Sequence, residues 1–315
     1  MNPGTSVQNP DAPVFVIGAV NMDIIGTPDA PLCPADSNPG RVSLSPGGVG
    51  RNIAENLCRL GRRVFLITVT GEDAYAGIIR ENCRNAGMDL RYSFTDPLGH
   101  TSTYLCLNEQ NGNLHAAISD MAICEQLTPD RLSPLLPVLN QGSMVLADAN
   151  LPEKTLAWIA ENVKVPLAAD PVSAAKAHRL KPLLSRLSLV KPNLAEAEEL
   201  TGLHPGEGGS YTFLADALHR QGVERVYLSL GSRGVWADDC RGGMLLPCIP
   251  GPIVNTSGCG DAFVAAAADA FLRGLDTEAS ARRGLAAASI CAEDPAPVSS
   301  RLSPEAIDLR LSLLP

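Results

Sequence analysis

The chain has 315 residues, 45% hydrophobic and 19% charged, the balance of an ordinary soluble globular protein. Its 25 basic and 34 acidic residues leave a net charge of −9, which argues against a general nucleic-acid binder or a protein drawn to acidic membranes. No run of 18 apolar residues reads as a membrane span, and the length fits one large domain or two ordinary ones.

Residues 1–12 carry prolines and glycine but no apolar run, so they read as a disordered tail and not as a signal peptide. A near-continuous apolar strand is expected at 14–19, followed by Asn21 and Asp23. Asp23 suits an acceptor for two ribose-type hydroxyls, or else a residue that makes a turn. Segment 28–46 is broken by prolines and glycines around a strand-like piece at 41–44. The run Pro46-Gly47-Gly48-Val49-Gly50-Arg51-Asn52 then leads into a helix expected at 52–60. It fails the G-x-G-x-x-G dinucleotide template, so Gly47 and Gly48 read as allowing close backbone approach to a small polar ligand that Asn52 would bond. Arg51 fits either incoming phosphates or a surface ion pair.

A strand at 64–70 and a helix at 73–86 come next. Segments 101–107 and 114–119 alternate as strands and are joined through Gln110-Asn111-Gly112-Asn113, a hairpin signal. Together the irregular segments, about 26–46 and 92–124, read as a small β lid. Further strands are expected at 144–148, 165–170, 187–191 and 226–230, with helices at 153–162, 193–201, 211–220 and 261–273. Apolar strands alternating with helices predict an α/β fold: a mainly parallel sheet flanked by helices on both faces. Residues 13–315 are read as one domain.

Polar groups gather where strands end, the usual ligand side of such sheets. Lys191-Pro192-Asn193 with Glu196 reads as a capping box, or as a pair that organises Mg²⁺ through its water shell. Ser229-Leu230-Gly231-Ser232-Arg233-Gly234 is a turn that admits a flat base or merely links two strands. In Asn255-Thr256-Ser257-Gly258-Cys259-Gly260-Asp261-Ala262, small residues precede an acid and a long apolar run. Gly258, Cys259 and Gly260 would offer bare N–H groups to a phosphate, with Asp261 taking a proton from an attacking hydroxyl. The alternative is that Asp261 caps its helix. Nine cysteines without C-x-x-C spacing or a zinc-like cluster fit free thiols in a reducing cytoplasm, with Cys259 placed in the nest.

In this order the motifs resemble the ribokinase-type, or PfkB, family of carbohydrate and nucleoside kinases from about residue 14 to 302. Cys259 stands where the terminal G-A-G-D pattern has Ala. Ala35-Asp36-Ser37-Asn38-Pro39-Gly40, Asp120-Met121-Ala122-Ile123 and Asp170-Pro171-Val172-Ser173-Ala174-Ala175-Lys176 are most similar to its pseudouridine kinase branch. The resemblance implies a ribokinase-like fold and phosphoryl transfer from ATP to the 5′-hydroxyl of pseudouridine. Asp261 would be the base, and Gly258, Cys259 and Gly260 the anion hole. Asn21, Asp23, Gly47, Gly48, Arg51 and Asn52 would hold the sugar, while Ser37, Asn38 and Asp120 would read or cover the uracil. Ser229, Gly231, Gly234, Thr256 and Asn193 would face the nucleotide, and Asn193 and Glu196 would support Mg²⁺ through water. The partners implied are nucleoside and ATP, with homodimerisation through the lid and neither nucleic acid nor membrane. Asn255 and the Glu293-Asp294-Pro295 loop depart from the pattern that holds a monovalent cation, and Gly284 stands where many members offer His or Asn to adenine.

Overall fold

The computed structural model describes residue 9 and residues 11–204 and 210–313. Most of the expected tail at 1–12 lies outside the described residues. The apolar runs form an eight-stranded sheet in the spatial order Gly242–Leu246, Val235–Asp239, Arg225–Ser229, Leu187–Val190, Leu167–Asp170, Met144–Asp148, Val14–Ile17, Val64–Ile67. From Arg225–Ser229 to Val64–Ile67 every pairing is parallel, and the remaining two strands form an antiparallel edge.

Successive side chains point to opposite faces of a strand, so a strand covered on both sides must be apolar throughout. Phe15, Ile17, Val145, Ala147 and Leu167 pack beneath helices Glu153–Asn162 and Thr212–Arg220. Val14, Val16, Met144, Leu146 and Ala168 pack on the other face beneath helices Val49–Arg59 and Cys259–Leu272. From Asp261 to Leu272 every residue of the latter helix is buried. A helix apolar all round belongs in an interior, and its alanines let helix Thr277–Ala292 approach closely.

A second sheet runs Gly40–Gly47, Asn21–Pro28, Thr103–Asn108, Leu114–Asp120. Asn21–Pro28 pairs antiparallel with the first and parallel with the third. Register places Asp23 beside Ser45 and Tyr104, with Ser119 completing that row. One residue along, on the opposite face, lie Leu44, Ile24, Leu105 and Ile118.

Val14–Ile17 sits between Val64–Ile67 and Met144–Asp148, so the chain leaves it in opposite directions and opens a crevice at the strands' carboxyl ends. Asp148 closes the floor of that crevice. Its fully buried carboxylate accepts 2.9 Å hydrogen bonds from the N–H groups of Ala19, Gly50 and Asn150. Gly18 and Gly50 lack side chains for a steric reason: a Cβ on Gly50 would lie 2.9 Å from the Cα of Gly18. Asp148→Ala strands three buried donors, each costing about 1–3 kcal/mol when unpaired. The expected result is a markedly lower urea midpoint with native-like circular dichroism in its absence.

Candidate active site

The helix Cys259–Leu272 begins at Gly258, whose φ of 77° lies in the left-handed region. Gly258 also abuts the Pro297 carbonyl, and that space admits no side chain. The N–H groups of Gly258, Gly260 and Asp261 have no acceptor among the described residues. Cys259 differs from the sequence expectation, because its N–H turns to the Thr256 carbonyl at 3.3 Å. A cation supplements the remaining amides: a Cβ built on Gly260 would lie 3.3 Å from the Lys191 Nζ. Lys191 is buried, as the residue after strand Leu187–Val190. Orphan amides, a helix N-terminus and an ammonium converge on one spot suited to an anion.

Asp261 is not the helix cap; Gly258 is. The Asp261 carboxylate is buried and accepts a 2.9 Å bond from the side-chain amide of Asn52, on the facing helix Val49–Arg59. Burial first, and the nearby Asp170 carboxylate second, hold Asp261 well above the ordinary carboxylate range, against the pull of Asn52 and Lys191. Asp170 ends strand Leu167–Asp170 and accepts a 2.7 Å bond from the Val172 N–H. Val172 adopts a φ of 66°, rare for a β-branched residue, and this turn aims Asp170 into the cluster.

On the four-stranded sheet, Asn21 donates to Asp23 at 2.5 Å, and Gly47 leaves room for the Asp23 carboxylate against its backbone. Gly48, at φ 105°, caps the helix that carries Asn52 and lies tight against the Ala19 carbonyl. Burial raises the Asp23 pKa, while Asn21 and the charge of Arg51 lower it. Arg51 fits neither of its expected roles. It is buried, ion-paired with Glu55, and donates to the side-chain oxygens of Asn82 at 2.6 Å and Asn52 at 2.8 Å. It therefore orients the Asn52 amide so that its nitrogen meets Asp261.

Asn193 and Glu196 form a reciprocal capping box, each accepting from the other's backbone N–H at 2.9 Å. Burial, chiefly, raises the Glu196 pKa. Among the described residues no cluster of three or more His, Cys, Asp or Glu is placed to hold a metal directly. One Glu196 carboxylate oxygen and the side-chain oxygen of Asn193 are engaged in this cap. Ser229 bridges back to Asn193, and the turn Gly231–Arg233 with Gly234 joins Ser229 to the antiparallel edge. Gly234 is packed against the Leu246 carbonyl. Thr256 is exposed, one residue after Asn255.

Ser37, Asn38 and Asp120 are not drawn into the cluster by any contact among the described residues. Both ends of the Asn38 amide fold their own loop, bonding Cys33 and Asp36. Ser37 and Asp120 are exposed, and Asp120 accepts from the Ala122 N–H at 3.3 Å. Asn255 uses its amide to link Pro295 and Ser257, both at 2.9 Å. Gly284 faces inward, where a Cβ would meet the Phe263 ring at 2.7 Å, so its lack of a side chain answers to packing. Sequence reasoning gave no role to Asp148, Asp170 or Lys191, although each stands at or just past the end of an apolar strand.

The model of the pfkB family of carbohydrate kinases matches residues 11–303, and the chain belongs to that family. It is 35% identical to the pseudouridine kinase of Escherichia coli K12 over 85% of this chain and 87% of that one. It is equally 35% identical to the uncharacterized sugar kinase YeiI of the same strain, over 87% of this chain and 76% of that one. The solved Arabidopsis thaliana ribokinase, complexed with ribose and ATP, superposes with a TM-score of 0.84 at 23% identity, covering 96% of this chain and 99% of that one. That likeness shows the fold, which is ribokinase-like.

A carboxyl with a raised folded pKa lends stability below the ordinary aspartate range and loses it as pH rises through the raised value. Asp261→Asn keeps the acceptor for Asn52 and removes that loss. Its melting temperature is expected to exceed the parent's near neutrality, by roughly 2–4 °C per kcal/mol recovered, and to match it at about pH 3. Calorimetry across that range checks the sign.

Proposed function

We propose that the chain catalyses ATP-dependent phosphorylation of the 5′-hydroxyl of pseudouridine. The observation that carries the phosphotransfer reading is the buried Asp261 carboxylate, hydrogen-bonded to Asn52, beside unclaimed amides and the Lys191 ammonium. The choice of nucleoside rests on the 35% identity to a pseudouridine kinase and on the motifs shared with that branch.

In this reading the γ-phosphoryl group lies on the Gly258, Gly260 and Asp261 amides with Lys191 alongside. Asp23 and Asn21 bind the ribose hydroxyls, and Asn52 and Asp261 fix the 5′-oxygen in line with phosphorus. That oxygen forms the new P–O bond, the bond to the β-phosphate oxygen breaks, and Asp261 takes the hydroxyl proton. Fixed donors stabilise the charge spread over the moving group, which is where such transfers gain their rate. Mg²⁺, when bound, supplies charge neutralisation on the phosphates, and waters held by Glu196 and Asn193 are its proposed anchor. The four-stranded sheet acts as a lid that excludes water as a competing acceptor.

Two copies are proposed to pair through the lid's outer face, where Val42, Leu44, Leu105 and Ile118 are 73, 54, 46 and 67% exposed. Nine free cysteines support a reducing, cytoplasmic setting.

A panel of pseudouridine, uridine, adenosine and ribose with ATP tests the substrate directly. Pseudouridine is expected to give the highest kcat/KM, and a preference for ribose would transfer the assignment to sugar. Asp261→Asn should lose about 10²–10⁴-fold in kcat while binding the nucleoside within a few-fold of the parent. Because its pKa is raised, the parent's kcat/KM should climb with pH at values above the ordinary carboxylate range. Leu105→Lys should convert the dimer to monomer in light scattering, whereas a parent already monomeric would remove the dimer.

A further inference from the structure

Lys176 lies in the short helix Ala174–Ala177, just past the end of strand Leu167–Asp170. Its half-buried ammonium donates to the side-chain oxygen of Asn150 at 2.7 Å. Among the described residues that is its one hydrogen bond, and no carboxylate pairs with it. An ammonium has three N–H donors, so two remain unspent.

The buried Asn150 that holds this ammonium is itself fixed. Its N–H donates to the Asp148 carboxylate at 2.9 Å, and Arg179 donates to its carbonyl at 3.3 Å. Asp148 takes Ala19 and Gly50 on one oxygen and Asn150 on the other. The first oxygen thus anchors the entry to Asn21 and Asp23 and the helix of Asn52, while the second anchors the support of Lys176. Sheet order gives the direction. Lys191 follows Leu187–Val190, Asp170 ends the next strand, Asn150 lies just past the one after, and Asn21 and Asp23 follow Val14–Ile17. The strands that lead to Lys191 and Asn150 are therefore two apart, about 10 Å along the carboxyl edge.

We infer that Lys176 is a specificity residue whose ammonium donates to a carbonyl oxygen of the uracil ring, with Asn150 as the residue that positions it. The inference rests on the nucleoside-kinase reading and names what that site reads at the base.

A nucleoside with its 5′-oxygen at Asp261 and its ribose hydroxyls on Asn21 and Asp23 projects its base away from the phosphate nest. Lys176 is the unspent donor on that side. Uracil carries a carbonyl beside its glycosidic bond whether it is attached through carbon or nitrogen; adenine and a free sugar offer no base carbonyl. A charge-assisted hydrogen bond asks only for a well-placed acceptor, so the contact favours uracil nucleosides as a class. A substrate without that oxygen leaves the half-buried ammonium short of a partner, and sites built on a hydrogen bond reject analogues in this way.

The test compares the full-length parent with Lys176→Met, which keeps most of the stem and removes the charge, on pseudouridine, uridine, adenosine and ribose. The kcat/KM for both uracil nucleosides is expected to fall about 10–10²-fold. That loss should lie in KM, with kcat within a few-fold of the parent and turnover of adenosine and ribose unchanged. Lys176→Gln, which keeps an N–H donor, should recover part of the loss. A loss shared equally by ribose, or no loss at all, overturns the assignment. If the parent prefers adenosine or ribose, the pseudouridine reading has failed, and calorimetric binding of uridine then decides the contact. Weaker binding to Lys176→Met supports it; equal binding, or a parent that binds no uridine, overturns it.

Discussion

The Lys191 ammonium is what makes the carboxyl edge of this sheet tenable. Asp170, Asp261 and Glu196 all feel its charge, and each is held above the ordinary carboxylate range mainly by burial. Charges sequestered together in a low dielectric are costly, and a group left without an opposite charge would simply stay protonated. The ammonium among them pulls each of the three back toward the ionised form. Asp261 illustrates the compromise: it has one neutral donor, Asn52, and no direct ion pair among the described residues.

Backbone contact without side chains is the second requirement. Gly18 touches Gly50, Gly48 lies on the Ala19 carbonyl, and Gly258 lies on that of Pro297. These approaches bring two helix N-termini to the same crevice, one bearing Asn52 and the other Asp261. Asp148 ties the first of them down by accepting from Ala19 and Gly50 at once. Arg51, paired with Glu55 and braced by Asn82, then fixes which end of the Asn52 amide faces the carboxylate. The placement of Asn52 against Asp261 thus descends from buried links behind them.

Much of this was legible in the chain. The apolar strands and the helix Ala74–Asn85 follow from local pattern, and the structure adds Asp73 as that helix's cap. The hairpin at Thr103–Asn108 and Leu114–Asp120 follows from alternation and its Asn-Gly turn. The strand Asn21–Pro28 gave no such signal, since Met22, Ile24 and Ile25 break alternation and Gly26 and Pro28 read as breakers. It exists because Gly40–Gly47 and Thr103–Asn108 hydrogen-bond it on both sides. The edge hairpin Val235–Leu246 and helix Thr277–Ala292 were likewise passed over, the latter because it is stabilised by packing on an alanine-rich neighbour rather than by an amphipathic stripe.

By itself the sequence determined the α/β alternation, the glycine-rich entry to the helix of Asn52 and the conjunction of Gly258, Gly260 and Asp261, because each is a short-range pattern with a local physical cause. The tertiary structure alone decided that Asp261 bonds Asn52, that Lys191 stands over Gly260 and that Arg51 is braced by Asn82. Those pairings join residues tens to hundreds of positions apart. They depend on which strand ends the parallel sheet brings together, and hydrophobic periodicity carries no record of that.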